Sequence, residues 1–322
     1  MKWLIIQSDG MHKGQAGDTW EPNWFMRECY AIQHALIAFG DKADVWGLRH
    51  EHYAQTPDFN SYDGIFTIEN YEFGWLPRVN GCYRALRIFW IIDAHWQPLN
   101  AYAEAIKGYD IILHSTRGFI EPYQKLYPGP KHVYFPNGVD NRFFDSEIYL
   151  KKKHRKPIIF IGGKAAPRAE AIDRMVAEAG MEYSYGVTGM KYVEAVLDAK
   201  IQFNKGLNGD INYRNWETIG LGTCLLTEYD PEMEALGFQH DVNCLFYRTV
   251  DEAVDLAKLY TTNGEWERVA KAGHELSKEH TYVRRMNTLI RHLFSSDLCQ
   301  AHILWNLRTS ASATTSAALS AQ

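Results

Sequence analysis

Leu86-Arg87-Ile88-Phe89-Trp90-Ile91-Ile92 is apolar almost without a break. A strand with one wet face alternates between apolar and polar residues. A run such as this needs cover on both faces, the condition of a central strand in a parallel sheet. Parallel neighbours are joined by crossovers, usually helical, so the run commits the chain to an α/β fold. It ends in Asp93-Ala94-His95-Trp96. Ligands of open α/β sheets gather beyond the carboxyl ends of strands, so Asp93 and His95 stand where chemistry is usually placed. The structural alternative is that Asp93 caps the next helix and His95 is a satisfied polar side chain.

The same grammar repeats on both sides of this run. Trp3–Gln7, Ala43–Leu48, Gly64–Ile68, Asp110–His114 and His132–Phe135 read as strands, with helices over Trp24–Phe39 and Arg117–Leu126. The loop after the first strand carries Gly10, Gly14 and Gly17 but no Gly-x-Gly-x-x-Gly, so no dinucleotide fingerprint is read there. Residues 141–156 are charged and aperiodic and read as a linker, with Lys151–Lys156 as a solvated basic run. A second series follows, with strands over Pro157–Ile161, Tyr183–Tyr185, Ile201–Asn204, Thr223–Thr227 and Cys244–Tyr247. Its helices fall at Pro167–Ala179, Met190–Ala199, Pro231–Leu236, Val250–Tyr260, Trp266–Lys278 and Tyr282–Phe294. No repeat of short period is present. Two series of similar size predict two Rossmann-like domains facing across a cleft, residues 1–145 and 146–296. The last helix, about 282–296, is placed to pack back on the first domain. Residues 297–322 are rich in Ser, Ala and Thr and are expected to be disordered.

Several function classes are disfavoured by composition. The net charge of −5 argues against a whole-protein grip on nucleic acid. The five cysteines form no Cys-x-x-Cys pair, so neither a zinc site nor a disulfide framework is indicated, consistent with a reducing, cytoplasmic setting. The opening apolar run is too short for a signal peptide or a membrane span. Aromatic residues reach 14%, with 10 Trp and 19 Tyr, a composition suited to binding clefts as well as to cores.

Two stretches carry candidate chemistry. Gly162-Gly163-Lys164 lies between a strand and a helix N-terminus, with Arg168 close by, and reads as a phosphate cradle although it is not a P-loop. In residues 204–228, Asp210, Arg214 and Glu217 stand at i, i+4 and i+7. If one helix holds all three they share a face, which is either a ligand site or a surface ion-pair ladder. No Asp-x-Asp motif stands at a strand end, and no catalytic metal is predicted.

In this order the motifs resemble those of GT-B glycosyltransferases, family 4 and its CgeB-like relatives in particular. Tyr134-Phe135-Pro136-Asn137-Gly138-Val139-Asp140 with Phe143 resembles their inter-domain junction, and Ile159–Gly163 the opening of their donor domain. Asn208–Thr227 resembles their donor-site helix, with Arg-x-x-Glu followed by Gly-x-x-Leu-Leu-Thr; His280-Thr281-Tyr282 and Arg285-Met286 resemble the end of the CgeB-like domain. Coverage is good from about residue 110 to 294.

The resemblance implies a C-terminal domain that binds a nucleotide-sugar donor (a UDP-sugar or another NDP-sugar) and an N-terminal domain that presents an acceptor. Glu217 would hold the donor ribose. Gly163, Lys164, Arg168 and Arg214 would meet the diphosphate, with the helix start at Asn212 beside them. Family 4 carries a second glutamate where this chain has Gly209, with Asp210 next to it, so Asp210 is an off-register candidate for the sugar. Asp93 or His95 would act across the cleft. The activity implied is hexosyl transfer to an acceptor hydroxyl, retaining, with no metal or other cofactor. Candidate acceptors are a glycan, a lipid-linked sugar, a protein or a modified DNA base, the last in the host cytoplasm for a phage-encoded chain. A sugar-nucleotide epimerase of the same fold and a non-catalytic binding protein are the alternatives.

Overall fold

The computed structural model describes residues 1–8, 27–50, 52–69, 74–79, 81, 84–94, 98–102, 104–144, 152–207 and 209–294. Two all-parallel sheets organise them. The first is built from β1 (Lys2–Ile6), β2 (Lys42–Trp46), β3 (Gly64–Ile68), β4 (Leu86–Ile91), β5 (Ile111–His114) and β6 (Lys131–Tyr134), in the order β2-β1-β3-β4-β5-β6. The second is built from β7 (Lys156–Ile161), β8 (Glu182–Ser184), β9 (Ala199–Asn204), β10 (Cys224–Glu228) and β11 (Leu245–Tyr247), in the order β11-β10-β9-β7-β8. The crossovers and flanks are α1 (Glu28–Ala38), α2 (Ile120–Leu126), α3 (Ala166–Ala179), α4 (Gly189–Leu197), α5 (Tyr213–Gly220), α6 (Pro231–Ala235), α7 (Val250–Asn263), α8 (Trp266–Ser277) and α9 (Tyr282–Phe294). The α/β class expected from the sequence is the class observed.

The continuous apolar run does what its pattern requires. In β4, Ile88 and Trp90 join the core on the α1 side of the sheet, and Phe89 and Ile91 join the core on the opposite side, with Tyr102 and Tyr123. All four strand residues are fully buried. The second sheet repeats the arrangement, with Ile159 and Ile161 of β7 on one face and Ile158 and Phe160 on the other. Gly64 opens β3 because the indole of Trp3 lies against it; a Cβ there would stand 2.3 Å from the ring.

The two halves are stitched together by α9 and by the junction Pro136–Asp140. Tyr282, Met286, Leu289 and Leu293 recur at helical spacing on α9 and are buried in the core of the first sheet, beside Cys29, Ile32 and Leu36 of α1. The junction Pro136–Asp140 runs the other way. Val139 N–H donates to the His280 carbonyl at 2.9 Å, and Tyr282 N–H returns a bond to Val139 at 3.0 Å. Val139 and Phe143 then bury themselves in the core of the second sheet.

The stretch read as a linker carries contacts of its own where it is described. Asn141–Phe144 is a short 3-10 turn, and Arg155 makes a two-pronged pair with Asp198 at 2.9 and 2.7 Å. Lys156 pairs with Glu182 at 2.5 Å, and Lys152 donates to the Gly222 carbonyl at 3.4 Å. The basic run is therefore tied to the second sheet's half while Lys153 and Arg155 stay exposed to solvent, as expected of a solvated run; Lys151 lies outside the described residues. So do the glycine loop at Gly10, Gly14 and Gly17, the helix start expected at Trp24, and the tail 297–322. Among the described residues, no helix is long and apolar enough to cross a membrane.

Candidate active site

In the second sheet β8 lies on one side of β7 and β9 on the other, so a crevice opens beyond the carboxyl ends of β7 and β9. Arg214, in the first turn of α5, spans that crevice. Its Nη2 and Nε donate to the Ile161 carbonyl at the end of β7, at 2.7 and 3.2 Å. Its Nη1 donates to Asn204 Oδ1 at the end of β9, at 2.8 Å. The guanidinium also rests on the Phe160 ring at 4.5 Å. This close approach explains Gly162, where a Cβ would stand 2.4 Å from Arg214 Nη2.

Arg168, in the first turn of α3, approaches the same ring at 5.8 Å, and its Nη1 lies 3.4 Å from the Gly163 carbonyl it donates to. Burial, and then the charge of Arg214, push its pKa down to about 10, while Asp210 works in the opposite direction. Arg168 Nε is buried with no hydrogen-bond partner among the described residues. Two guanidiniums beside one crevice, one with an unanswered donor, favour an anion there.

Asn204 ties the rest of the site together. Its amide nitrogen donates to Asn215 Oδ1 at 2.7 Å and to Thr227 Oγ1 at 3.2 Å, and its oxygen accepts from Asn212 Nδ2 at 3.2 Å as well as from Arg214. Asn212 stands at the start of α5, and its own Oδ1 is buried and unpartnered among the described residues. Glu217, one turn further along, is buried. Its Oε2 accepts from the Tyr192 hydroxyl at 2.8 Å, and its Oε1 has no partner among the described residues. Burial raises its pKa to about 7, against the hydrogen bond from Tyr192 and the charge of Arg214; Glu28 adds to the rise.

The shared helical face expected for Asp210, Arg214 and Glu217 is not formed. Helix α5 begins at Tyr213, and Asp210 lies in the preceding loop, where its carboxylate accepts the Leu207 N–H. A carboxylate bonding to a nearby backbone N–H stabilises a turn in competition with the helix. Asp210 still reaches the site through its effect on Arg168. Gly163, Arg168, Asn212 and Arg214 thus stand at one crevice, with Asp210 acting on Arg168 by its charge and Glu217 buried one turn along α5 from Arg214. Lys164 does not join them: it is exposed and pairs with Asp173 of α3.

The first sheet changes direction between β1 and β3. Glu69 follows β3 directly and is buried. It accepts from Ile92 N–H at 2.5 Å, from Asp93 N–H at 2.7 Å and from the Tyr102 hydroxyl. Burial, then the charge of Asp93, raise its pKa to about 8. Asp93 is half-buried just beyond β4, with its backbone held by Glu69. His95 lies outside the described residues.

Sequence reasoning missed Asn204, Tyr192, Gln202 and Glu69. Two of them carried a usable signal. Glu69 is a charged residue directly after an apolar strand, the rule that singled out Asp93, and Asn204 is a polar residue at the carboxyl end of a buried strand. Tyr192 and Gln202 sit within apolar patterns and gave none. A cavity of about 680 Å³, lined among others by Tyr229, His240, Phe246, Arg248 and Leu259, contains none of the site residues. Among the described residues, no group of three or more His, Cys, Asp or Glu is placed to hold a metal ion.

No curated protein matches the chain in sequence. Residues 160–291 match the family described as Glycosyl transferase-like. Among solved structures, HepE from Anabaena in complex with UDP and glucose aligns with TM-score 0.56 and 9% identity, over 92% of this chain and 99% of that one. Sucrose-phosphate synthase from Thermosynechococcus elongatus aligns with TM-score 0.56 and 12% identity, over 91% and 99%. An alpha-glucosyltransferase in complex with UDP and a 13-mer DNA containing a HMU base aligns with TM-score 0.56 and 9% identity, over 87% and 96%. With two parallel α/β halves and these likenesses, the chain has the GT-B fold of glycosyltransferases.

Proposed function

We propose that the protein is a glycosyltransferase that moves a hexosyl group from a UDP-sugar to an acceptor hydroxyl, with retention and without a metal. The observation that carries this reading is the pair Arg168 and Arg214 at the β7–β9 crevice, with Arg168 Nε unanswered and, on the same helix as Arg214, Glu217 Oε1 buried and without a partner among the described residues. A nucleoside diphosphate has the complementary parts, a charged diphosphate for the guanidiniums and a ribose diol for the carboxylate. Negative charge grows on the leaving diphosphate as the glycosidic bond breaks, and fixed cations lower that barrier. The likeness to structures holding UDP favours uridine as the base. In this reading residues 146–296 hold the donor and residues 1–145 present the acceptor, with Asp93 and His95 on the acceptor side. Lys164 is a further diphosphate candidate if its pair with Asp173 opens, and Asp210 a candidate contact for the sugar.

Calorimetry against a panel of nucleotides and sugar nucleotides tests this. UDP and one UDP-sugar should bind, and Glu217→Ala should weaken UDP by about ten- to a hundredfold, the scale of hydrogen bonds to a charged group. Unchanged affinity in Glu217→Ala, or no binding across the panel, overturns the reading. NMR of the reaction products, run without acceptor and in the presence of EDTA, separates transfer from epimerisation and reads the metal requirement.

A further inference from the structure

Glu217 does not stand alone. The Thr218 hydroxyl donates to Gln202 Oε1 at 2.7 Å, Gln202 Nε2 donates to the Tyr192 hydroxyl at 3.1 Å, and Tyr192 donates to Glu217 Oε2 at 2.8 Å. The members come from α4 (Tyr192), β9 (Gln202) and α5 (Thr218 and Glu217), so three elements fix one carboxylate. Every member is buried. The direction of the relay is set at its carboxylate end, since the Thr218 hydroxyl also lies 2.6 Å from the Arg214 carbonyl and shares its proton between two acceptors. An ionised Glu217 can only accept, so the phenol turns its single proton to it. The phenol oxygen then accepts from the Gln202 amide N–H, which leaves the Gln202 oxygen facing Thr218. One oxygen of Glu217 is consumed and the other is left without a partner.

We propose that Tyr192 is the positioning residue of the donor site, holding Glu217 Oε2 so that Oε1 is the oxygen that accepts from the ribose. This rests on the nucleotide-sugar reading of the crevice and specifies how its carboxylate is aimed. The relay also controls charge. The groups acting on Glu217 are Tyr192 from α4, Arg214 on its own helix, Glu28 from α1 and the neighbouring buried Tyr213. Of these, the Tyr192 hydrogen bond and Arg214 favour the carboxylate, while burial and Glu28 oppose it. With the carboxyl poised at about pH 7, loss of the phenol proton tips it to the neutral acid in the neutral range.

The test uses two readouts on the full chain. The first is a ¹³C NMR titration of the Glu217 carboxyl in ligand-free protein, assigned by its loss in Glu217→Gln. The second is UDP affinity by calorimetry from about pH 6 to pH 9. Tyr192→Phe should raise the Glu217 midpoint by about one pH unit, the scale of a hydrogen bond to a charged group. UDP affinity should fall by about fivefold more at pH 7 than at pH 9, where both carboxyls are ionised and the loss that remains reads the aim of Oε1. A purely packing role for Tyr192 gives a loss that does not change with pH. An unmoved Glu217 midpoint, or a UDP affinity loss equal at pH 7 and pH 9, overturns the proposal. Should Tyr192→Phe not fold, Gln202→Met removes the donor to the phenol and reads the same relay: a raised midpoint supports it and an unchanged one overturns it. If the wild type binds no UDP, the nucleotide-site reading fails, and the NMR titration alone still decides whether Tyr192 governs Glu217.

Discussion

Glu217 and Glu69 are buried acids with raised pKa values, about 7 and about 8, and burial is the first cause for both. Between the ordinary carboxyl range near pH 4.5 and these values, the folded protein keeps protons that the unfolded chain has released. Folding then takes up protons, so stability falls as pH rises across that window. Urea unfolding at pH 5.5 and pH 8 should show the lower midpoint at pH 8, and Glu217→Gln should flatten the dependence. A midpoint that rises with pH in the wild type contradicts the protonation scheme. Glu217 thus favours the fold when neutral, while its proposed role in the site calls for the charged form.

At the scale of elements, the crevice depends on two strand ends meeting one helix start. The least tolerant point is Gly162, where an added Cβ lands on Arg214. Gly162→Ala should displace the guanidinium from the Ile161 carbonyl and weaken UDP binding by about tenfold, with a stability loss of about 1–3 kcal/mol from overpacking. Calorimetry and urea unfolding read the two effects separately. Much of this architecture was legible in the sequence, because the apolar run through Trp90 and the glycine-bounded strands have periods that only an α/β fold satisfies. Tyr282–Phe294 was read with its observed bounds, since Tyr282, Met286, Leu289 and Leu293 repeat at helical spacing. The start of helix α5 at Asn212 was also read as observed, but not the shared face, because the charges at 210, 214 and 217 fit a helical period while Asp210 prefers a turn bond to Leu207. Propensity could not reveal that competition. Nor could it reveal the relay through Tyr192 and Gln202, which exists only once α4 and β9 lie side by side.

At the scale of the molecule, the halves also meet through Glu232 in the first turn of α6. Its carboxylate accepts from the Tyr134 hydroxyl at 2.6 Å and from the Arg117 N–H at 3.1 Å, and the Arg117 guanidinium lies over the Tyr134 ring at 4.1 Å. Glu232→Ala leaves both donors without that acceptor. It should cost about 1–3 kcal/mol and widen the angle between the halves. Small-angle scattering and urea unfolding check this, and an unchanged radius of gyration with an unchanged midpoint would show that Glu232 does not set the angle. The packing of α9 on α1 has a different consequence, one of timing. A ribosome releases the first sheet long before it releases Tyr282–Phe294, by about ten seconds or more at ordinary elongation rates. Through that interval the nascent chain presents the bare flank that Met286, Leu289 and Leu293 later cover, so the amino-terminal half carries exposed apolar surface, and the aggregation hazard that goes with it, until the carboxyl-terminal helix arrives to seal it.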